Sequence, residues 1–220
     1  MDKSKNKHQC QFCMEFKGNS DSFYNLLLPN VPIDRTIFSY GGFKIFPPLG
    51  QFVEGSLMIV SEKHYTSCAN LPAELKCNLE FLIEIIKSVL ADRYRLPIFF
   101  EHGSGHNTKG SCCVEHAHIH VFPVKIDVHS ILVKQYPYKI IKKITELNFL
   151  KPGRAGYIFL QQDSNRYYYP LEEVTPQLVR KIIASELGMP ERGDWKSYIG
   201  LEEFNKTYDN LHSIKWEAYV

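Results

Sequence analysis

The stretch "EHAHIHVFP", residues 115–123, constrains this chain more than any other segment. A β-strand turns successive side chains to opposite faces, so positions two apart share a face. One face here reads His116, His118, His120, Phe122; the other reads Ala117, Ile119, Val121, as in a strand packed on a core. Same-face neighbours lie roughly 6.6 Å apart along a strand, so the pattern predicts three imidazoles in a row over one surface. Three readings compete. Such histidines can be surface or hydrogen-bonded core residues. They can be zinc ligands, although consecutive same-face positions rarely converge on one ion. Or neutral imidazole can attack a phosphorus or acyl centre and leave readily afterwards.

With 220 residues the chain has room for one large domain, or one domain and a substantial extension. Its 44% hydrophobic and 23% charged residues are the balance of a soluble globular protein. A formal net charge of +2 gives no push toward nucleic acid or a membrane surface. No apolar run approaches a membrane span, and "MDKSKNKHQC" lacks the apolar core of a signal peptide. The six cysteines are therefore expected as reduced thiols or metal ligands. A cytoplasmic location is expected, with the nucleus left open.

"RTIFSYGGFKIFPPLG" reads as two strands around the Gly41-Gly42 turn, and "GSLMIVSEKH" as a third ending at His64. A helix should open at Asn70 with Pro72 in its first turn. Its apolar stripe runs through Leu75, Leu79, Leu82, Ile83, Ile86, Val89 and Leu90. "LPIFFEHG" is a strand leading into the loop "GSGHNTKGS", and a second helix is expected near 129–148. Beyond "LKPGRAG" the spacing predicts a hairpin around Ser164-Asn165 and a helix over "TPQLVRKIIASELG", capped by Thr175 and ended by Gly188. A last helix covers "LEEFNKTYDNLHSIK". The division expected is a catalytic domain over 1–150 and a structured C-terminal extension over 151–220, packed on that core.

"CQFC", Cys10 to Cys13, is open to three readings of its own: a redox pair, half of a zinc site, or coincidence. A redox pair normally opens a helix in a thioredoxin-like context, which is missing here. A zinc site needs two further ligands. Cys68 and Cys77 read as ordinary buried thiols at the start of the long helix.

"HAHIHVF" resembles the His-φ-His-φ-His-φ-φ signature of the histidine triad (HIT) superfamily of nucleotide hydrolases and transferases, φ being apolar. The order of hairpin, strand, long helix, strand, loop and triad over about residues 10–125 resembles that family too. The resemblance implies an α+β fold, a HIT-like antiparallel sheet with a long helix packed on it, here followed by a hairpin-and-helix extension. It implies that His118 is the nucleophile, attacking the α-phosphate of a nucleotide or nucleotide conjugate to form a nucleotidyl-histidine intermediate. His120 would donate to a phosphate oxygen, with His116 as the third triad member. Backbone N–H groups of the loop, at Gly110, Ser111, Cys112 and Cys113, could hold phosphate, or the loop is a plain surface turn. In one branch of the superfamily a Cys-x-x-Cys pair joins an upstream histidine and the first triad histidine. The matching set is Cys10, Cys13, His64 and His116, a closed structural Zn²⁺ site. A homodimer is implied as well.

This chain departs from the family in two places. Ser56 stands where many members carry a fourth histidine, and Cys112-Cys113 stand near where nucleotide-binding members have Gln-Ser. His102 either shares the missing histidine's role in binding substrate or is a loop residue. In the extension, the run Tyr167 to Tyr169 could stack on a base, and Arg166 and Arg192 could meet phosphate; each equally reads as a core or solvated residue. Two other functions compete with nucleotide hydrolysis or transfer: removal of nucleotidyl groups from nucleic-acid ends, and nucleotide binding without catalysis. The low net charge argues against the first, the intact triad against the second.

Overall fold

The computed structural model describes residues 10–29, 34–104, 114–148, 156–173 and 175–220. In chain order its elements are helices α1 (Gln11–Phe16) and α2 (Phe23–Leu27), then strands β1 (Phe38–Tyr40), β2 (Phe43–Phe46) and β3 (Leu57–Ser61). Helix α3 (Ala73–Arg93) leads to β4 (Ile98–Ser104) and β5 (His118–Phe122). There follow α4 (Val128–Leu132), β6 (Lys139–Ile140), β7 (Gly156–Gln162), β8 (Asn165–Leu171), α5 (Leu178–Glu186) and α6 (Leu201–His212). The strands form one antiparallel sheet in the order β1-β2-β3-β5-β4-β7-β8-β6. The α+β architecture and the long helix are as expected.

Gly41 and Gly42 take φ of +56° and +87° in the β1–β2 turn, where a Cβ on either would press against α3. Helix α3 starts later than the spacing predicts. Pro72 is its N-cap, and a short 3₁₀ turn occupies Cys68–Asn70. Leu79, Leu82, Ile83, Ile86, Val89 and Leu90 are buried on the sheet with Ile59, Phe99, Ile119 and Val121. Each such side chain contributes about 1.5–3 kcal/mol, and Ile86→Ala would cost roughly 2–5 kcal/mol. Leu75 is only partly buried against this cluster.

The opposite face of the sheet carries Phe100, Phe122, Ile158 and Leu160, covered by α4 and by Val179 and Ile183 of α5. Here the segment beyond residue 150 enters the sheet itself. β7 pairs with β4 over six residues, from Phe99↔Gln161 to Ser104↔Gly156. Gly103 permits that approach, since a Cβ there would meet the Tyr157 ring at 2.0 Å.

Two further expected elements differ. The helix near 129–148 is confined to Val128–Leu132, and the chain then forms β6 and a 3₁₀ turn at Ile144–Asn148. Pro137 lacks the N–H a longer helix needs. Thr175 caps nothing: α5 begins at Leu178 behind Gln177, whose φ of +61° forms the N-cap. Cys68 is buried as expected, whereas Cys77 is exposed. No helix among the described residues is long and apolar enough to cross a membrane.

Candidate active site and metal cluster

β5 is held between β3 and β4, with Met58 and Phe100 both opposite His120 and Val60 opposite His118. The alternation therefore works as the sequence implies from residue 118 onward: Ile119 and Val121 face α3, His118 and His120 the other way. The row breaks before His118. The His116 N–H turns back to the Val114 carbonyl at 3.0 Å, so His116 lies ahead of the strand and leaves the histidine row.

His118 is buried, and its Nδ1 stands 2.6 Å from the His116 carbonyl oxygen. A carbonyl only accepts, so Nδ1 carries the proton and Nε2 keeps its lone pair. Burial lowers the proton affinity of the ring, which favours the neutral form that can attack. His120 stacks on Phe100 at 4.9 Å between ring centroids and meets His118 edge-on at 5.0 Å. Its Nδ1 is buried with no hydrogen-bond partner among the described residues. Burial first, then the charges of His118 and Arg180, holds His120 well below the usual imidazole range.

These two histidines open into a cleft enclosing about 810 Å³, its open mouth included. Phe12, Tyr24, Met58 and Trp195 give it apolar walls. His102 lines it too, so the structure brings this expected residue to the triad, where its Nε2 accepts the Val179 N–H at 3.4 Å. Burial, aided by the charges of His118 and Arg180, depresses His102 to about 3. Arg35 lies in the wall, bound to both Glu15 carboxylate oxygens at 2.7 and 2.9 Å.

The second cluster lies beside the first. One ligand atom each from Cys10, Cys13, His64 and His116 all fall within 4.8 Å of one another, close enough to hold a metal ion. Cys10 Sγ is 3.2 Å from His116 Nδ1, and Cys13 Sγ is 3.5 Å from His64 Nδ1 and 3.7 Å from His116 Nδ1. Zinc's bond lengths at a tetrahedral angle set sulfur and nitrogen about 3.5 Å apart, so the donor set fits. His116 Nε2 donates to the Ser61 carbonyl at 2.6 Å, which turns the Nδ1 lone pair toward the sulfurs. Burial depresses His116 to about 4 and pushes Cys10 up to about 11. The imidazole is thus neutral, as a ligand must be, and a thiolate at Cys10 calls for a cation.

Gly110, Ser111, Cys112 and Cys113 lie outside the described residues. Ser56 is buried, does not line the cleft, and its hydroxyl has no hydrogen-bond partner among the described residues. Arg166 is ion-paired with Glu80 at 3.0 Å and Glu84 at 3.7 Å, and Arg192 with Glu203 at 3.3 Å; neither reaches the cleft. Tyr167 to Tyr169 also lie elsewhere, Tyr168 in the α3 core and Tyr169 in the core opposite. Sequence reasoning missed Phe12, Tyr24, Arg180 and Trp195 as cleft residues. Phe12 alone had a signal, its place inside "CQFC".

No family model and no curated protein matches the chain. Solved structures similar to it include histidine triad proteins and a phosphorylase. A Hit-like protein involved in cell-cycle regulation from Bartonella henselae is 16% identical, with a TM-score of 0.35, over 48% of this chain and 76% of that one. A histidine triad protein from Clostridium difficile is 16% identical, TM-score 0.36, over 56% and 96% respectively. The yeast Ap4A phosphorylase Apa2, solved in complex with AMP, is 10% identical, TM-score 0.42, over 63% and 59%.

Proposed function

We propose that this chain is a histidine triad enzyme that hydrolyses or transfers a nucleoside monophosphate group through an intermediate on His118. The observation that carries the reading is the His118 ring: neutral, its Nδ1–H spent on the His116 carbonyl, in a cleft with apolar walls. Nε2 would attack the α-phosphorus, forming a P–N bond as the bond to the leaving group breaks and that group departs with the electron pair. His120 would donate to a phosphate oxygen as charge builds. Water or another acceptor would then cleave the P–N bond and restore the lone pair.

The four-residue cluster is, in this reading, a structural zinc site. When bound, the ion supplies folding free energy and no open coordination position. The residues around it do the positioning. Phe12, between Cys10 and Cys13, packs edge-on against His116 and His118 at 5.6 and 5.7 Å, so the ligand segment also forms a cleft wall. His116 then serves the chemistry through its carbonyl, which orients the nucleophile.

We also propose a homodimer, and residues 151–220 as an extension that tunes substrate choice. β4 carries β7 on its far side and the sheet ends on strands of three and two residues. Exposed Phe81 on α3 is therefore a better contact than a strand edge. Light scattering at micromolar concentration should give twice the chain mass; a monomer would overturn the dimer.

The test of function is nucleoside monophosphate release from dinucleoside polyphosphates, nucleotide sugars and nucleoside phosphoramidates. It is joined to mass spectrometry of protein quenched in alkali. Turnover of at least one class, with a nucleotidyl adduct on His118, is expected. Turnover with no adduct and undiminished activity in His118→Ala would overturn the assignment.

A further inference from the structure

The ladder between β4 and β5 stops at Phe100↔His120, although β4 continues to Ser104 in its pairing with β7. The entry to the triad strand therefore runs beside β4 without joining its ladder, and its backbone groups bond elsewhere. The Ala117 N–H donates to the Tyr65 carbonyl at 2.6 Å, and the Ala117 carbonyl accepts the Ser61 N–H at 3.1 Å. The His116 carbonyl accepts from the His118 ring at 2.6 Å. The His118 N–H goes to a side chain, the carboxylate of Glu101, which follows Phe100 on β4. Glu101 is 1% exposed and shares the α3 face of the sheet with Phe99, two positions before it. Its Oε1 accepts the Cys68 N–H at 2.8 Å and its Oε2 the Tyr157 O–H, while the Tyr157 oxygen accepts the Ala69 N–H at 3.0 Å. Lys76 of α3 brings a positive charge to the same cluster, its Nζ on the Ala69 carbonyl at 2.8 Å. One carboxylate thus joins the turn before α3, β7 and the first residue of β5. A buried charge costs free energy unless donors meet it. One donor that meets this charge is the backbone of the residue proposed to attack.

We propose that Glu101 is the positioning residue of His118: by accepting the His118 N–H it fixes the backbone from which the imidazole reaches the His116 carbonyl. This rests on the nucleotidyl-transfer reading above and adds to it what holds the attacking ring. The peptide plane between Ala117 and His118 lies between that carbonyl and the ring, so the direction of its N–H sets how the two meet. The ring's tautomer and its aim into the cleft follow from that bond. Glu101 acts from the face of the sheet away from the cleft and touches no substrate. Its effect falls on the rate of attack and not on binding, since a misplacement of about 1 Å can cost roughly a hundredfold in rate.

Three variants of the full chain test this by steady-state kinetics and by nitrogen NMR of histidine-labelled protein. The spectra are taken at about pH 8, where free imidazole is neutral, and the His118 signal is the one missing from His118→Gln. Glu101→Leu removes the acceptor at similar size, Glu101→Gln keeps one acceptor oxygen, and Tyr157→Phe takes a different donor from the same carboxylate. Wild type should show His118 protonated on Nδ1 alone. Glu101→Leu should mix in the Nε2–H tautomer and lose about a hundredfold in kcat with KM within about threefold. Glu101→Gln should recover about tenfold of that loss, and Tyr157→Phe should lose stability while keeping the tautomer and kcat within about threefold. An unmixed tautomer with unchanged kcat in Glu101→Leu would overturn the proposal. So would equal losses of kcat in Glu101→Leu and Tyr157→Phe, the mark of a merely structural carboxylate. If the leucine variant does not fold, wild-type kcat in Glu101→Gln overturns it. Absence of turnover by wild type on every substrate class would overturn the His118 reading instead, and the tautomer comparison, which needs no substrate, would still decide the role of Glu101.

Discussion

His116 and His118 are the same residue two positions apart, each bonded to a backbone carbonyl at 2.6 Å, yet the proposed function gives them opposite tasks. In the metal cluster the bonded nitrogen of His116 is Nε2, so the Nδ1 lone pair turns to the sulfurs of Cys10 and Cys13. In the cleft the bonded nitrogen of His118 is Nδ1, so the lone pair is on Nε2. The carbonyl a ring finds selects its tautomer, and under the proposed function that tautomer would separate a ligand from a nucleophile. One turn in the chain at Val114–His116 is enough to make that difference.

The sharpest way to break the comparison is to exchange its consequences. His118→Ala should lower turnover by about ten-thousand-fold while metal content and nucleotide binding stay at wild-type levels. His116→Ala should lose the ion. Steady-state rates with elemental analysis of the same preparations check both. A His118→Ala enzyme within a few-fold of wild type would erase the distinction.

Next in size is the metal. Purified protein should hold about one zinc per chain. Cys13→Ala should lose it together with about 3 kcal/mol of stability, lowering the melting midpoint by roughly 6–12 °C. Full zinc content in Cys10→Ala/Cys13→Ala would exclude this ligand set.

An effect of similar size, spread over pH, sharpens the cleft side. His102 titrates at about 3 folded against 6.5 in its ordinary state. Between those values the unfolded chain binds the additional proton. The stability from neutral His102 is therefore complete above pH 6.5 and falls by about 1.4 kcal/mol per pH unit below it, until pH passes about 3. Glu101 runs the other way. Burial raises it from 4.5 to about 7, so its contribution is lost as pH rises across that window. Urea titrations of wild type and His102→Gln from pH 7.5 to 4 isolate the histidine. The wild type should lose stability relative to the variant on acidification; parallel curves would contradict the buried neutral ring.

The least effect is expected from Arg166→Gln. Arg166 ties β8 to Glu80 and Glu84 of α3, so the change should cost about 1 kcal/mol and leave kinetics within twofold. A large KM increase would return Arg166 to the phosphate-binding role its composition suggested.

The sheet was legible where side-chain period and turn chemistry act locally. Alternation marked β5 and its two faces, paired glycines marked the β1–β2 turn, and the apolar stripe marked α3. The metal set was legible only through resemblance, since Cys13 and His64 lie 51 positions apart. Pro137 was the sequence signal against a helix over 129–148, since it lacks the N–H such a helix needs. α5 starts past its expected cap because Gln177 takes the N-cap position at φ +61°, a left-handed conformation uncommon outside glycine and not signalled by its residue type. The cleft's far wall could not be read at all. Arg180 and Trp195 reach the triad through the placement of α5 and the loop after it, and nothing in their local sequence differs from a solvated helix face and loop.

The pairing of β7 with β4 has a consequence for how the protein comes into being. On the ribosome, β3, β5 and β4 emerge well before residues 156–162, and until those arrive β4 offers an open row of N–H and C=O groups. A nascent chain in that condition invites chaperones and intermolecular strand pairing. Closing the contact also spans some sixty residues, a long loop to order before any stabilisation is gained. β5 thus completes its surroundings only after β7 and α5 have followed it, when α5 can dock over it.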